Sequence, residues 1–202
     1  KHLLHELEGE EVYVDTDSQR IMDGIKADPR LARVTVYRRD QRFVDVEEDE
    51  GNPNSPVLGL IKAFLDKYAE PNELIVTPHC TSPFLRKATV LNAIKTMGQV
   101  GAETCSSATL HREFTMLQKD GVCEPINYDP IVVQRTQDLQ PVVMQNGAFF
   151  VFAMESFKRH NHRISKKHLY YPIAFPDSIE IDNEIDFLHA ETIHRGLTCE
   201  DT

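Results

Sequence analysis

The stretch Glu73-Leu74-Ile75-Val76-Thr77-Pro78-His79-Cys80-Thr81-Ser82-Pro83-Phe84-Leu85-Arg86 divides at Thr77. Residues 73–77 form a short apolar run rich in branched side chains, which reads as a strand. Two prolines bracket 78–83, so that segment is a loop. A helix is expected over 87–97. The same strand, polar loop, helix order recurs upstream. Glu11-Val12-Tyr13-Val14 runs into Asp15-Thr16-Asp17-Ser18, whose short polar side chains suit the start of a helix over 18–26. Val34-Thr35-Val36-Tyr37 ends in Arg38-Arg39. A polar loop then leads through Gly51-Asn52-Pro53-Asn54-Ser55-Pro56 to a helix over 57–67, with Val57, Leu60, Ile61, Phe64 and Leu65 at helical spacing. Downstream, strands are expected over 104–109, 147–152 and 170–175, with turn residues in 122–133. A last helix over 184–194 aligns Ile185, Leu188, His189 and Thr192. This alternation predicts an α/β fold with a mainly parallel sheet. With no repeat and no linker, 1–202 is expected to be one domain.

In open α/β sheets, ligands bind beyond the carboxyl ends of the strands. Three polar loops follow strands here: 15–17, Arg38-Arg39 and 79–83. The topology brings them to one edge.

The totals narrow the function. The formal net charge is −10, which disfavours non-specific nucleic-acid binding, since such affinity comes from neutralising phosphates. No apolar run approaches the roughly 18–20 residues that cross a bilayer. Four cysteines, Cys80, Cys105, Cys123 and Cys199, are scattered with no C-x-x-C pair. They read as reduced thiols rather than a zinc site, which favours a cytoplasmic or nuclear setting. Glu47-Glu48-Asp49-Glu50 reads as a solvated loop. So does Lys158-Arg159-His160-Asn161-His162-Arg163, where flanking cations oppose metal binding.

Three groups of residues can carry chemistry. In the loop after residue 77, hydroxyls and N–H groups can hold a sugar hydroxyl or a carboxylate, and Arg86 can neutralise an anion. The alternative is a plain turn with a helix cap. In Ser178-Ile179-Glu180-Ile181-Asp182, strand alternation puts Glu180 and Asp182 on one side, about 7 Å apart, within reach of one hard cation. The alternative is an exposed acidic edge, with Asp182 or Asn183 capping the next helix. Asn146, before Gly147-Ala148, can hydrogen-bond a polyol or merely shape a turn.

Taken in order, these pieces resemble the acylneuraminate cytidylyltransferase family. That family shows a strand ending in S-T-D, an Arg after the next strand, then Q-P-T-S-P-L-R, N-G-A-I-Y and S-I-D-I-D-T-x-x-D. The matching residues here are Asp15-Thr16-Asp17-Ser18, Arg38, His79 to Arg86, Asn146-Gly147-Ala148-Phe149-Phe150, and Ser178 to Asp182 with Asp186. The resemblance covers nearly the whole chain. It implies a Rossmann-like, three-layer nucleotidyltransferase fold of the GT-A-related type. It also implies transfer of CMP from CTP to an acidic 2-keto-3-deoxy sugar, with release of pyrophosphate. On it, Glu180 and Asp182 hold Mg²⁺, and Arg38, the third catalytic residue, contacts the substrates. Asp17, Arg38 and Ser55 lie by the nucleotide. His79, Thr81, Ser82, Arg86, Gln137, Asn146 and Phe150 line the acceptor pocket. A homodimer is implied, with 121–139 as a candidate arm.

Several residues depart from the family pattern. Glu180 replaces the first metal-site Asp, His79 the sugar-reading Gln, Cys80 a Pro, and Phe150 a Tyr. Thr136-Gln137 stands where the family has Arg-Gln. These changes crowd the acceptor side, so an acceptor other than N-acetylneuraminic acid is expected. His79 and Phe150 keep open another anionic acceptor, such as a phosphonate. The strand and basic phosphate loop that open the family are expected to be lacking before Asp15, which keeps open an inactive nucleotide-binding domain.

Overall fold

The computed structural model describes residues 10–48 and 55–199. The strands form where branched and aromatic residues cluster. β1 (Val12–Thr16) and β2 (Val34–Arg38) pair in parallel, from Val12 opposite Val34 to Thr16 opposite Arg38. Six more strands follow: β3 (Leu74–Pro78), β4 (Thr104–His111), β5 (Met116–Lys119), β6 (Val122–Pro125), β7 (Val142–Ala153) and β8 (His168–Pro172). The central sheet has the order β3-β7-β4-β8. β7 is antiparallel to β3 and β4, and β4 is parallel to β8. Three strands therefore run one way and β7 runs against them, so the expected mainly parallel character holds in a mixed sheet. Among the described residues β1 and β2 form a separate ladder.

The helices are α1 (Gln19–Lys26), α2 (Gln41–Glu48), α3 (Val57–Tyr68), α4 (Lys87–Val100), α5 (Met154–His160) and α6 (Glu184–Cys199). They cover both sheet faces, which is why β7 reads as continuous apolar sequence rather than as alternation. Phe149 and Val151 pack with Leu85 and with Val90, Ala93 and Met97 of α4. Phe150 and Phe152 point the other way, onto Ile61 and Leu65 of α3 and Met154 and Phe157 of α5. The result is three layers. A smaller core of Val12, Ile25, Leu31 and Val34 holds β1, β2 and α1. Tyr13 and Tyr37 join it to α3 through Phe64 and Tyr68, with ring centroids 4.9–5.2 Å apart.

The structure corrects the sequence reading in five places. Lys158, Arg159 and His160 of the charged run read as a loop form the last turn of α5. Part of the polar loop after Arg39 is α2, begun by Asp40, whose side chain accepts from Arg42 N. Phe43 fits against Gly59 of α3, where a Cβ would come within 2.7 Å of its ring. Glu47 and Glu48 close this helix, while Asp49, Glu50 and Gly51 to Asn54 lie outside the described residues. The stretch after residue 115 is a β5–β6 hairpin, turning at Asp120-Gly121 with φ of 51° and 81°, a dipeptide suited to this turn. Residues 180–182 are not a strand; one lateral bond, Ile181 N to Thr81 O, replaces a ladder. Finally, the expected apolar face of α6 is turned outward, with Ile185 and Leu188 exposed and Ala190 buried instead. Among the described residues no helix is long and apolar enough to cross a membrane.

One network gives the fold a pH dependence. The His168 ring on β8 bonds Thr104 Oγ1 through Nδ1 at 2.7 Å and Ser106 Oγ through Nε2 at 2.9 Å, both on β4. Burial, with the His162 charge behind it, pushes the ring down to about 4. The unfolded ring takes its proton near pH ~6.5. Stability is therefore full above that pH and falls as pH drops toward 4, because only the unfolded chain binds the proton there. The whole shift corresponds to roughly 3 kcal/mol; a half-exposed ring retains about 1–2 of it. Urea melts at pH 7.5 and 5 should show the loss, and His168→Gln should shrink the difference.

Candidate active site

The candidate site lies at the carboxyl end of β3 and the adjoining start of the apolar half of β7. The loop after Pro78 is tied down on both sides. His79 N donates to Ala148 O at 2.9 Å, and Thr81 O accepts from Ile181 N at 2.8 Å. These bonds draw three separate motifs together: His79 to Ser82, Asn146 to Ala148, and Glu180 to Asp182. Gly147, at φ 71°, sits among them. A Cβ built there would lie 3.7 Å from both Glu180 Oε1 and His79 Nδ1. The positive φ suits glycine, and the missing side chain leaves the space between the two groups open.

Electrostatics distinguish the members. Burial, then repulsion from Asp182, raises the Glu180 carboxyl above its ordinary range. Asp182 is exposed. Burial, then the Arg163 charge, lowers the His79 ring, so at neutral pH the imidazole is neutral and has one nitrogen free to accept a hydrogen bond. Its ring lies 5.7 Å from that of Phe150. Phe150 is buried and forms the floor of the site rather than a wall. The buried atoms Thr77 Oγ1, Ser82 Oγ and Asn146 Nδ2 have no hydrogen-bond partner among the described residues. Such groups destabilise an empty fold by about 1–3 kcal/mol each.

Two Asp residues serve structure. Asp186 Oδ2 accepts from Asp182 N and Asn183 N, while Asn183 Oδ1 accepts from Ile185 N and Asp186 N. This reciprocal cap starts α6 and explains the last Asp of the motif. Asp177, 1% exposed, takes Arg86 Nε at 2.8 Å and the Thr89 hydroxyl. Arg86 is thus engaged in pinning the turn before Glu180 to the start of α4.

No family profile matches the chain. Its sequence is 26% identical over 184 residues to N-acylneuraminate cytidylyltransferase A of Danio rerio, covering 89% of this chain and 40% of that protein. It is 25% identical over 170 residues to N-acylneuraminate cytidylyltransferase of Streptococcus agalactiae serotype V, covering 82% and 40%. Its curated homologues are N-acylneuraminate cytidylyltransferases. The chain spans 40% of the length of these relatives. The fold is similar to crystal structures of 4-diphosphocytidyl-2C-methyl-D-erythritol synthase. One has TM-score 0.55 and 14% identity, over 93% of this chain and 86% of that one. Another, from Anaerococcus prevotii, has TM-score 0.51 and 11% identity, over 91% and 97%. The relatives and the fold neighbours alike are named for cytidylyl chemistry.

The remaining expected site residues sit on other elements, with Asp17 and Arg38 together at the carboxyl ends of the paired strands β1 and β2. Arg38 ends β2 and gives Nη1 to Gln19 Oε1 at 3.3 Å. Asp17 is exposed beside the cap of α1. Ser55 Oγ accepts from Val57 N and starts α3. Gln137 lies exposed on a 3₁₀ turn of the 112–141 segment. Sequence reasoning missed Arg163. Its neighbour Ile164 packs into the core beside Phe150, and the guanidinium follows it inward, its Cζ 3.5 Å from the Phe150 ring centroid. The run of charges from Lys158 onward masked the one that turns in.

Proposed function

We propose that the chain carries the cytidylyltransferase site of an enzyme that moves CMP from CTP to an acidic 2-keto-3-deoxy sugar of sialic-acid type. The oxygen of the acceptor's anomeric hydroxyl bonds the α-phosphorus as its proton passes to solvent. The bond to the β-phosphate oxygen breaks, and pyrophosphate leaves. The observation that carries this reading is the meeting of Glu180 and His79 across Gly147, which joins the acidic motif to the loop that follows β3. Neutral His79 offers an acceptor to a sugar hydroxyl, and Asn146 Nδ2 and Ser82 Oγ offer unused donors.

Mg²⁺ fits this donor set. Two carboxylates of hard oxygen, one held partly out of water beside the other, suit a cation whose remaining ligands are waters and phosphate oxygens. Glu180 and Asp182 would hold it, and when bound it neutralises charge on the triphosphate. The test is pyrophosphate release from CTP with a panel of acidic sugars and phosphonates. Release that depends on one sugar acid supports the reading. Release with a phosphonate alone replaces the acceptor. CTP binding without release by any acceptor leaves a nucleotide-binding domain.

The same reading includes a homodimer formed through the 121–139 arm, which in the structure is part of the longer segment 112–141 between β4 and β7. Asn127 stiffens the arm, bonding Thr115 N, Glu113 O and Gln140 O, and Arg112 bonds Leu139 O. Yet Ile131 and Val133 are 90% and 102% exposed, with Met116, Leu117 and Val122 also outside. A rigid arm with this much apolar surface fits a second copy, which would also give Gln137 a site to reach. Ile131→Asp with Val133→Asp should convert the dimer to monomer in sedimentation equilibrium; an unchanged mass would refute the arm as the interface.

A further inference from the structure

Arg163 is a cation that the fold places in the site with no anion beside it among the described residues. It sits in the turn between α5 and β8, with its guanidinium flat over Phe150. Nη1 is buried and has no hydrogen-bond partner among the described residues. Burial lowers this guanidinium, and no carboxylate among the described residues is paired with it. A stacked ring satisfies the face of a guanidinium but none of its in-plane N–H groups. Directly across the ladder from Phe150 is Thr77, whose hydroxyl is also buried and unpaired. Next to Phe150 comes His79, then Gly147 and Glu180. The site thus has carboxylates at one end and an unneutralised cation at the other.

A guanidinium retained in such a place is expected to meet an oxyanion from outside the chain, because planar N–H groups and a neighbouring hydroxyl match two oxygens in one plane. We propose that Arg163, assisted by Thr77 Oγ1, forms the subsite that reads the acceptor's carboxylate. This rests on the acidic-sugar reading above. It adds the residue that makes the acceptor's charge a requirement. The oxyanion chemistry is shared by carboxylate and phosphate, so the experiment separates acceptor from nucleotide.

The experiment is calorimetric binding at pH 7.5 of N-acetylneuraminate and 3-deoxy-manno-octulosonate, each with its methyl ester, and of CTP. The proteins are the parent chain, Arg163→Lys and Arg163→Met. Methionine keeps an apolar stem on Phe150, and thermal melts check the fold of each variant. Arg163→Met should bind the parent's preferred acid on the order of 10²-fold more weakly. It should no longer distinguish acid from ester, and should hold CTP unchanged. Arg163→Lys should fall between. Equal binding of the acid by parent and Arg163→Met would overturn the subsite and leave the acidic-sugar reading intact. Weakened CTP with an unchanged acid would assign the guanidinium to the nucleotide and overturn it too. A parent that binds CTP but neither acid would overturn the acidic-sugar reading, and the subsite with it.

Discussion

Replacing both carboxylates, Glu180→Ala with Asp182→Ala, should slow pyrophosphate release by ~10³-fold or more at saturating CTP and acceptor, with no loss of thermal stability. The two halves of that result come from different facts. Asp182 is exposed and its backbone, not its carboxylate, enters the α6 cap, so its side chain bonds nothing among the described residues. Glu180 is part-buried, and its charged form is disfavoured by burial and by Asp182. A carboxyl raised on folding lowers stability above its unfolded pKa, so its removal leaves the fold as stable or slightly more so. A rate that falls while the melt holds marks groups kept for chemistry. Titration of the metal-free chain adds a second readout. Glu180 should take its proton at a higher pH than an ordinary Glu. Asp182→Asn should bring that titration down, since it removes the second cause of the shift. A double variant that keeps the parent's rate would remove these carboxylates from the reaction.

How far the sequence could be read depended on whether a residue's surroundings lay nearby in the chain. The strand, loop and helix around Glu73 to Met97 were legible because period and proline act locally. The cap of α6 was half legible, with Asp182 or Asn183 expected there; the structure chooses Asn183 and adds Asp186 as its reciprocal partner, three residues on. The Asp120-Gly121 hairpin was equally local, yet the apolar residues beyond it drew attention to an arm and away from the turn. Arg86 and Arg163 show the limit. Both are basic residues at loop ends. Only tertiary structure sends Arg86 to Asp177, ninety-one positions away, and leaves Arg163 over Phe150 with no carboxylate partner among the described residues. Helix α6 fails for the same reason: its apolar residues outnumber the sites that can bury them, so periodicity could not say which stripe faces inward.

Gly147→Val should lower turnover by ~100-fold or more, the scale expected when a site's groups are displaced by about 1 Å, while Gly147→Ala loses much less. At φ 71°, any side chain is strained, by about 1–2 kcal/mol for alanine and more for a β-branched residue. Strain alone would reduce stability for both variants and turnover for neither, once enough folded protein is present. The space at Gly147 separates the effects. An alanine Cβ would stop 3.7 Å from Glu180 Oε1 and His79 Nδ1, an ordinary contact. The two methyls of valine have no room beyond it, so they must part the carboxylate from the imidazole or displace the acceptor. Turnover per folded molecule, normalised by the melt, should therefore drop sharply from alanine to valine while CTP affinity changes little. Equal turnover in the two variants would mean that the glycine serves the bend of β7 alone, and that the gap between Glu180 and His79 is not where the acceptor sits.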